Sequence, residues 1–301
     1  MIKAWLSAFR LRTLPLALAS IGMGSFLAAA RAQYQVTVLL LCAGTTIFLQ
    51  ILSNLANDYG DSIHGADSLE REGPARAVQS GRITAKAMKV AMLVFVILSL
   101  ASGLALLYVA FYESTQSWTL FLYFLGLGIL SIIAAITYTA GKKPYGYAGL
   151  GDIAVLRFFG WVGVLGTYFL HTLQFDWLLL LPATSCGLLA VAVLNVNNIR
   201  DIQSDLKAGK KSIPVRLGRD KAVLYHWLVL IVALVCSLVY VMVTYRGWVQ
   251  LLFLVTIPLL SKNAWAIQHK KRSAELDPYL KQMALTTLLF VLTFGIGQLW
   301  G

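Results

Sequence analysis

Runs of about 20 mainly apolar residues recur along this chain from one end to the other, and that length crosses a hydrocarbon core of about 30 Å. Inside lipid every backbone polar group has to be bonded within the protein, which leaves only helices and closed barrels. The runs are long and lack the two-residue alternation of barrel strands, so they read as helices. The pattern predicts nine spans, over residues 14–31, 36–57, 85–110, 117–138, 153–171, 176–197, 222–244, 248–267 and 281–300. The expected fold is therefore all-α, a polytopic bundle of nine transmembrane helices around a central cavity, organised as one membrane-embedded domain over residues 1–301. Only 13% of the residues are charged, whereas a soluble domain carries roughly 25%.

The first span carries an A-x-A-like end that could pass for a signal peptide. Its apolar part is longer than a usual signal core, and another span follows almost at once, so it reads as a retained helix. Before it, residues 2–12 set Trp5, Leu6 and Phe9 between Lys3, Arg10 and Arg12, the pattern of a short interfacial helix. The three cysteines, Cys42, Cys186 and Cys236, each fall inside an apolar run and read as small core residues. The four histidines are scattered and have no metal-ligand spacing.

A net charge of +12 raises nucleic acid as a partner. The positions of the cations point to membrane topology instead. With the N-terminus on one side, the loops at 32–35, 111–116, 172–175 and 245–247 lie on the other, and only Arg31 and Arg246 map there. Nearly all the remaining Lys and Arg residues gather at the N-terminus and around the loops near 58–84, 139–152, 198–221 and 268–280. The positive-inside rule then puts the N-terminus in the cytoplasm and the C-terminus outside, in a plasma or inner membrane.

The two longest polar loops share that cytoplasmic side and hold most of the acids. They read "NLANDYGDSIHGADSLEREGPARAVQSGRIT" and "NVNNIRDIQSDLKAGKKSIPVRLGRD". They follow spans four helices apart, which suggests a parallel repeat of spans one to four in spans five to eight. Asn54, Asn57, Asp58 and Asp61 are spaced i, i+3, i+4, i+7, one stripe of a helix; Asn198, Asp201 and Asp205 are spaced i, i+3, i+7, a second stripe. Acids at a helix C-terminus oppose the macrodipole, so they are not caps. A solvated helix end is the plain reading of either stripe alone, but the pattern occurs twice at equivalent points. Facing carboxylates repel unless cations lie between them, and carboxylates with Asn carbonyls are hard oxygen ligands suited to Mg²⁺. Basic residues follow each acidic cluster: Arg71, Arg76 and Arg82, then Lys207, Lys210, Lys211 and Arg216. Acid, metal, phosphate and base is the layering a diphosphate needs, although positive-inside topology accounts for a share of these cations.

These residues resemble the UbiA-type membrane prenyltransferases, a nine-helix family with an N-D-x-x-D motif after the second helix and a D-x-x-x-D motif after the sixth. Here they read "NDYGD", with Asn57, Asp58 and Asp61, and "DIQSD", with Asp201 and Asp205. Within the family the chain looks like the menaquinone branch, on "RTLPLA", "NDYGDSIHGAD" with "GPARAVQSG", "YTAGKKPYGYAGLGD" with "RFFG", and "NNIRDIQSDLKAGKKSIPVRLG". Asp67, the last acid of the first motif, comes two residues later than in the wider family. The resemblance implies prenyl transfer from a polyprenyl diphosphate to 1,4-dihydroxy-2-naphthoate, with two Mg²⁺ ions bridging the diphosphate.

The implied catalytic residues are Asp58, Asp61, Asp201 and Asp205, and the metal set adds Asn57, Asp67 and Asn198. The diphosphate falls to Arg76, Lys143, Lys210 and Lys211, and the acceptor or prenyl-cation pocket to Asn54, Gln79, Tyr138, Tyr145 and Tyr147. An allylic cation needs a dry site with electron-rich walls, although an interfacial aromatic belt explains tyrosines equally well. Lys142 is an alternative to Lys143. Asp152 reads as a helix cap. Arg157, inside the fifth span, needs a partner or a polar cavity. The partners expected are the two substrates and the lipid bilayer, with no nucleic acid. Other aromatic acceptors remain alternatives. A transporter fits the repeated halves, but its acids belong near the bilayer midplane, not at helix ends.

Overall fold

The computed structural model describes residues 1–64, 76–112 and 117–301; Asp67 and Arg71 lie outside them. Among the described residues the chain is helical without strands, and nine helical segments are long and apolar enough to cross a membrane. The interfacial helix α1 (Ile2–Phe9) ends at Arg10, whose backbone turns left-handed, and α2 (Leu14–Ala29) is the first span. The next three spans are α3 (Val36–Ile63), α4 (Ala85–Phe111) and α5 (Ser117–Thr137). Span five is composite: α6 (Gly151–Val155), a π-helical stretch Leu156–Leu165, and α7 (Gly166–Thr172). Then come α8 (Leu180–Arg200), two short helices α9 (Ile202–Lys207) and α10 (Ile213–Leu217), and α11 (Arg219–Val243). Span eight begins as a 3₁₀ stretch, Trp248–Thr256, and continues as α12 (Ile257–His269); α13 (Asp277–Trp300) closes the chain.

Two compact units are present. The first comprises Met1–Leu14, Val36–Leu150 and Gln203–Ser212; the second comprises Pro15–Gln35, Gly151–Ile202 and Ile213–Gly301. This division differs from the repeat read in the sequence, because almost all of α2 belongs to the second unit. In the first unit Leu52, Leu55 and Ala56 of α3 bury against Met88 of α4, with Ala4 and Ala8 of α1 closing one side. Thr84 caps α4 by accepting the Ala87 N–H at 3.2 Å.

The second unit is built around α8, whose buried face carries Leu189, Val191 and Val196. A Cβ on Gly160 would meet Gly187 Cα at 2.9 Å, so the two glycines let the π-helical stretch lie directly on α8. Phe253, Phe290 and Phe294 fill the packing of the 3₁₀ stretch against α13, the first two edge-on at 5.3 Å. A polar chain crosses this core. His226 Nε2 donates to Asn263 Oδ1 at 3.2 Å, and Asn263 Nδ2 donates to Tyr279 O at 2.9 Å, tying α11, α12 and α13 together. The outer faces are apolar, with Leu93, Ile97 and Leu104 exposed on α4 and Leu224, Leu228 and Ile231 exposed on α11. In water such faces would aggregate; in lipid they are the solvated surface.

Candidate active site

The first acidic motif lies within a helix. Helix α3 runs on to Ile63, past the predicted boundary at 57, so Asn57, Asp58 and Asp61 occupy its last two turns. Carboxylates there face the negative end of the dipole and have to find donors elsewhere. Gly60 makes room for them. A Cβ at Gly60 would sit 2.5 Å from the Thr139 carbonyl carbon and oxygen, so only glycine lets the loop after α5 lie on the helix. Thr139 Oγ1 pins that approach, within donating reach of Ala56 O at 3.0 Å and Asn57 Oδ1 at 2.9 Å.

The buried Asp58 and Asp61 find different donors. The Ala77 and Val78 backbone N–H groups donate one to each oxygen of Asp58, both at 3.0 Å. Asp58 thereby fixes the turn that follows Arg76, in which Gln79 stands half-buried. Among the described residues, the partners of Asp61 are side chains. Arg76 Nη2 donates to Oδ2 at 3.0 Å, and the Tyr147 hydroxyl donates to Oδ1 at 3.0 Å. Lys210 Nζ lies 3.0 Å from the same Oδ1.

Lys210 comes from the segment that carries the second motif. Its Nζ is also 3.4 Å from Asp205 Oδ1 and 4.9 Å from the centre of the Tyr147 ring. The segment is held in place by its backbone: Lys210 N–H donates to Asp205 O and Lys211 N–H donates to Tyr147 O, both at 2.9 Å. One acid from each motif thus shares a single ammonium, over an aromatic face. Without a cation between them the two carboxylates would repel. Asp58, Asp61, Arg76, Tyr147, Asp205 and Lys210 all belong to the first unit.

The tyrosine loop is braced from within. Tyr145 donates its hydroxyl to Ala134 O at 2.9 Å and meets Tyr138 edge-on at 5.3 Å. Burial pushes the Tyr145 phenol up to about 12, so it keeps its proton throughout the neutral range. His64, one turn past Asp61, hydrogen-bonds Gly141 O at 2.9 Å and so holds the loop from the other side.

Asn54 donates to Phe9 O at 2.9 Å and Thr13 Oγ1 at 3.1 Å, tying α3 to the N-terminal segment. Lys143 and Lys211 have exposed side chains. The second stripe is not continuous: α8 ends at Arg200 and α9 starts at Ile202, so Asn198, Asp201 and Asp205 do not share one helix face. The break at Asp201 (φ −97°, ψ 10°) ends the helical period on which that reading relied. Asn198 and Asp201 belong to the second unit. There Arg200, which the sequence reading passed over, grips Asp201 with Nε at 2.8 Å and Nη2 at 2.9 Å. Its signal was an arginine inside a run otherwise apolar or amidic. Asp152 lies in the first turn of α6 and accepts from the Tyr225 hydroxyl at 3.1 Å; Arg157 is exposed on the π-helical stretch.

Among the described residues no three His, Cys, Asp or Glu side chains converge as a ready metal cage. Mg²⁺ usually takes one or two carboxylates and fills its octahedron with water and substrate phosphate. Asp61 and Asp205 both face the Lys210 ammonium, and their oxygens are of the hard type such an ion could take.

The profile of the UbiA prenyltransferase family matches residues 17–296. The chain is 49% identical to a 1,4-dihydroxy-2-naphthoate octaprenyltransferase of Haemophilus influenzae, covering 100% of this chain and 97% of that protein. It is 46% identical to the Escherichia coli protein of the same name, covering 98% and 96%. Among solved structures it is similar to a UbiA homolog from Aeropyrum pernix K1, with a TM-score of 0.69 at 17% identity over 96% of this chain and 97% of that one. It is also similar to a UbiA homolog from Archaeoglobus fulgidus bound to GPP and Mg²⁺, with a TM-score of 0.65 at 16% identity over 98% and 99%.

Proposed function

The chain belongs to the UbiA prenyltransferase family, and from that premise we propose that it prenylates 1,4-dihydroxy-2-naphthoate in menaquinone biosynthesis. The donor is a polyprenyl diphosphate held at the cytoplasmic ends of the helices. The observation that carries the proposal is the meeting of Asp61 and Asp205, one acid from each motif, on the Lys210 ammonium at 3.0 and 3.4 Å. Full-length likeness to two relatives bearing the octaprenyltransferase name supports the acceptor.

Asp61 and Asp205 would hold Mg²⁺, with Asn57, Asp58 and Asp67 as further expected holders in the first motif and Asn198 and Asp201 in the second. When bound, Mg²⁺ supplies Lewis-acid stabilisation of the departing diphosphate. The chain's own part follows from geometry. Arg76 and Lys210 lie beside Asp61 and can turn their charge to phosphate oxygens as the prenyl C–O bond breaks. The Tyr147 face beside Lys210 offers a π-surface suited to a cation, and Tyr138 and Tyr145 pack on each other. A ring carbon of the dihydroxynaphthoate attacks the allylic carbon. The bond to its carboxylate carbon then breaks, its electron pair returns to the ring, and CO₂ leaves.

The test is the full chain in liposomes with geranyl diphosphate, the naphthoate and Mg²⁺. Release of diphosphate and CO₂ together with a prenylated naphthoquinol is the expected result. Prenylation of 4-hydroxybenzoate but not of the naphthoate would overturn the acceptor. Solute flux without any prenylated product would overturn the enzyme reading.

A further inference from the structure

We propose that the groove between α12 and α13 is a binding site for an anionic phospholipid of the surrounding bilayer. One acyl chain lies in the groove and the headgroup phosphate meets Lys281 and Lys262. The inference does not depend on the reaction assigned above. Both helices belong to the second unit.

The groove holds a cavity of about 320 Å³, lined by Leu259 of α12 and by Pro278, Lys281, Gln282, Leu285 and Leu289 of α13. Its polar floor is closed on itself. Gln282 Nε2 donates to Leu259 O at 3.0 Å and to Thr286 Oγ1 at 2.9 Å, while its Oε1 accepts from Asn263 Nδ2. The rest of the lining is mainly aliphatic, and Leu285 and Leu289 are exposed. A bilayer chain fills such a groove through dispersion contacts without stranding a polar group.

Two lysines stand at one level beside it. Asn263 bonds Gln282 and, at 2.9 Å, Tyr279 O, so residue 263 is level with residues 279–282. Lys262 and Lys281 therefore share a depth, about 6 Å into α13 from Asp277. Both residues are exposed, and among the described residues neither has a hydrogen-bond or ion-pair partner. An unpaired charge within a span is costly, and a lysine relieves it by running its stem along apolar surface to a headgroup phosphate. The nearby acids are engaged elsewhere: Glu275 lies 3.7 Å from Lys270, and Asp277 meets Arg200 at 2.7 Å. Exposed Trp265, stacked on His269 at 4.3 Å, marks the interfacial level about one turn beyond Lys262. An apolar channel beside two uncommitted cations is the complement of an acyl chain under a phosphate. Phosphatidylglycerol matches it, whereas a zwitterionic headgroup brings its own cation and gains less.

The experiment titrates the full chain in detergent micelles with phosphatidylglycerol or with phosphatidylcholine of the same chains, and native mass spectrometry reads the occupancy of the first lipid retained. The wild type should favour phosphatidylglycerol by about twentyfold, on a scale of about fivefold for each lysine near a membrane surface. Lys281→Gln and Lys262→Gln should each lower that preference about fivefold, and the double variant should bring it to parity. Leu285→Trp fills the groove and keeps both lysines, and it should release the retained lipid. The three substituted residues are exposed, so the fold is not at stake. An unchanged preference in Leu285→Trp would show a diffuse attraction to surface charge and overturn the groove. Parity in the wild type would overturn the site as a whole. Displacement of the lipid by inorganic phosphate at constant ionic strength would assign the cations to a free anion, and displacement by geranyl diphosphate would assign them to the prenyl donor. Either result overturns the lipid as occupant.

Discussion

The two acidic motifs use the same division of labour with different chemistry. In each, one carboxylate is held by two donors at once: Asp58 by the Ala77 and Val78 amides, Asp201 by the Arg200 fork. In each, the other carboxylate meets the Lys210 ammonium: Asp61 at 3.0 Å and Asp205 at 3.4 Å. On the proposed reading, the anchored acids build the frame and the sharing acids present exchangeable charge. The anchors differ in kind. Backbone amides are neutral and leave Asp58 its full negative charge, whereas Arg200 neutralises much of the charge on Asp201. The first motif should therefore attract a divalent cation more strongly, and the second should act more by geometry.

Removing a sharing acid tests the comparison hardest. Asp61→Asn keeps the shape but takes away the charge that faces Arg76 and Lys210. Turnover should fall on the order of a thousandfold, with the protein still folded and inserted. Near-normal prenyl transfer in that variant, measured as diphosphate release, would end the metal-bridge reading of the first motif.

Lys210→Met comes next. It removes the shared ammonium, so turnover should fall by about a hundredfold. Mn²⁺ affinity without diphosphate should hold or rise, because a competing cation has gone from between Asp61 and Asp205. A parallel loss of metal affinity would mean that Lys210 organises the acids and does not compete for them.

The sequence revealed the helices because lipid imposes a length and a polarity that a linear pattern records. The expected span at 36–57 and the observed Val36–Ile63 agree on where the span lies and differ on where it ends, since tertiary donors let the helix continue through its acids. The π-helical Leu156–Leu165 left no periodic mark; it follows from contact with α8 through Gly160 and Gly187. Asp58 and Asp61 looked alike in the motif, and only packing separates their roles, because their donors come from residues 77–78, 147 and 210. Arg200 was overlooked because its contacts depend on a helix end and on Asp277. Lys143 and Lys211 were chosen for charge and proximity in sequence, neither of which fixes where a long side chain points.

The anchored acid of the first motif offers a middle-sized test. Asp58→Asn can accept from only one of the two amides and sets its own NH₂ against the other. Stability should fall by about 2 kcal/mol, read as a lower melting temperature. Turnover of the folded fraction should drop by about tenfold, well short of Asp61→Asn. Equal losses of turnover in the two variants, at full stability, would erase the distinction between anchored and sharing acids.

The smallest single loss is expected from Tyr147→Phe, and substitutions at Tyr147 separate two things the residue does. Its hydroxyl donates to Asp61 Oδ1 at 3.0 Å, while its ring lies 4.9 Å from Lys210 Nζ. Tyr147→Phe removes the first and keeps the second. Asp61 retains Arg76 and Lys210, so the lost bond is partly compensated, and turnover should fall about threefold to tenfold. Tyr147→Leu removes both and should cost about another fivefold, the scale of one partly exposed cation–π contact. Equal activity in the two variants would show that the ring contributes nothing to holding Lys210 between the motifs, and the hydroxyl alone would then account for the conservative loss.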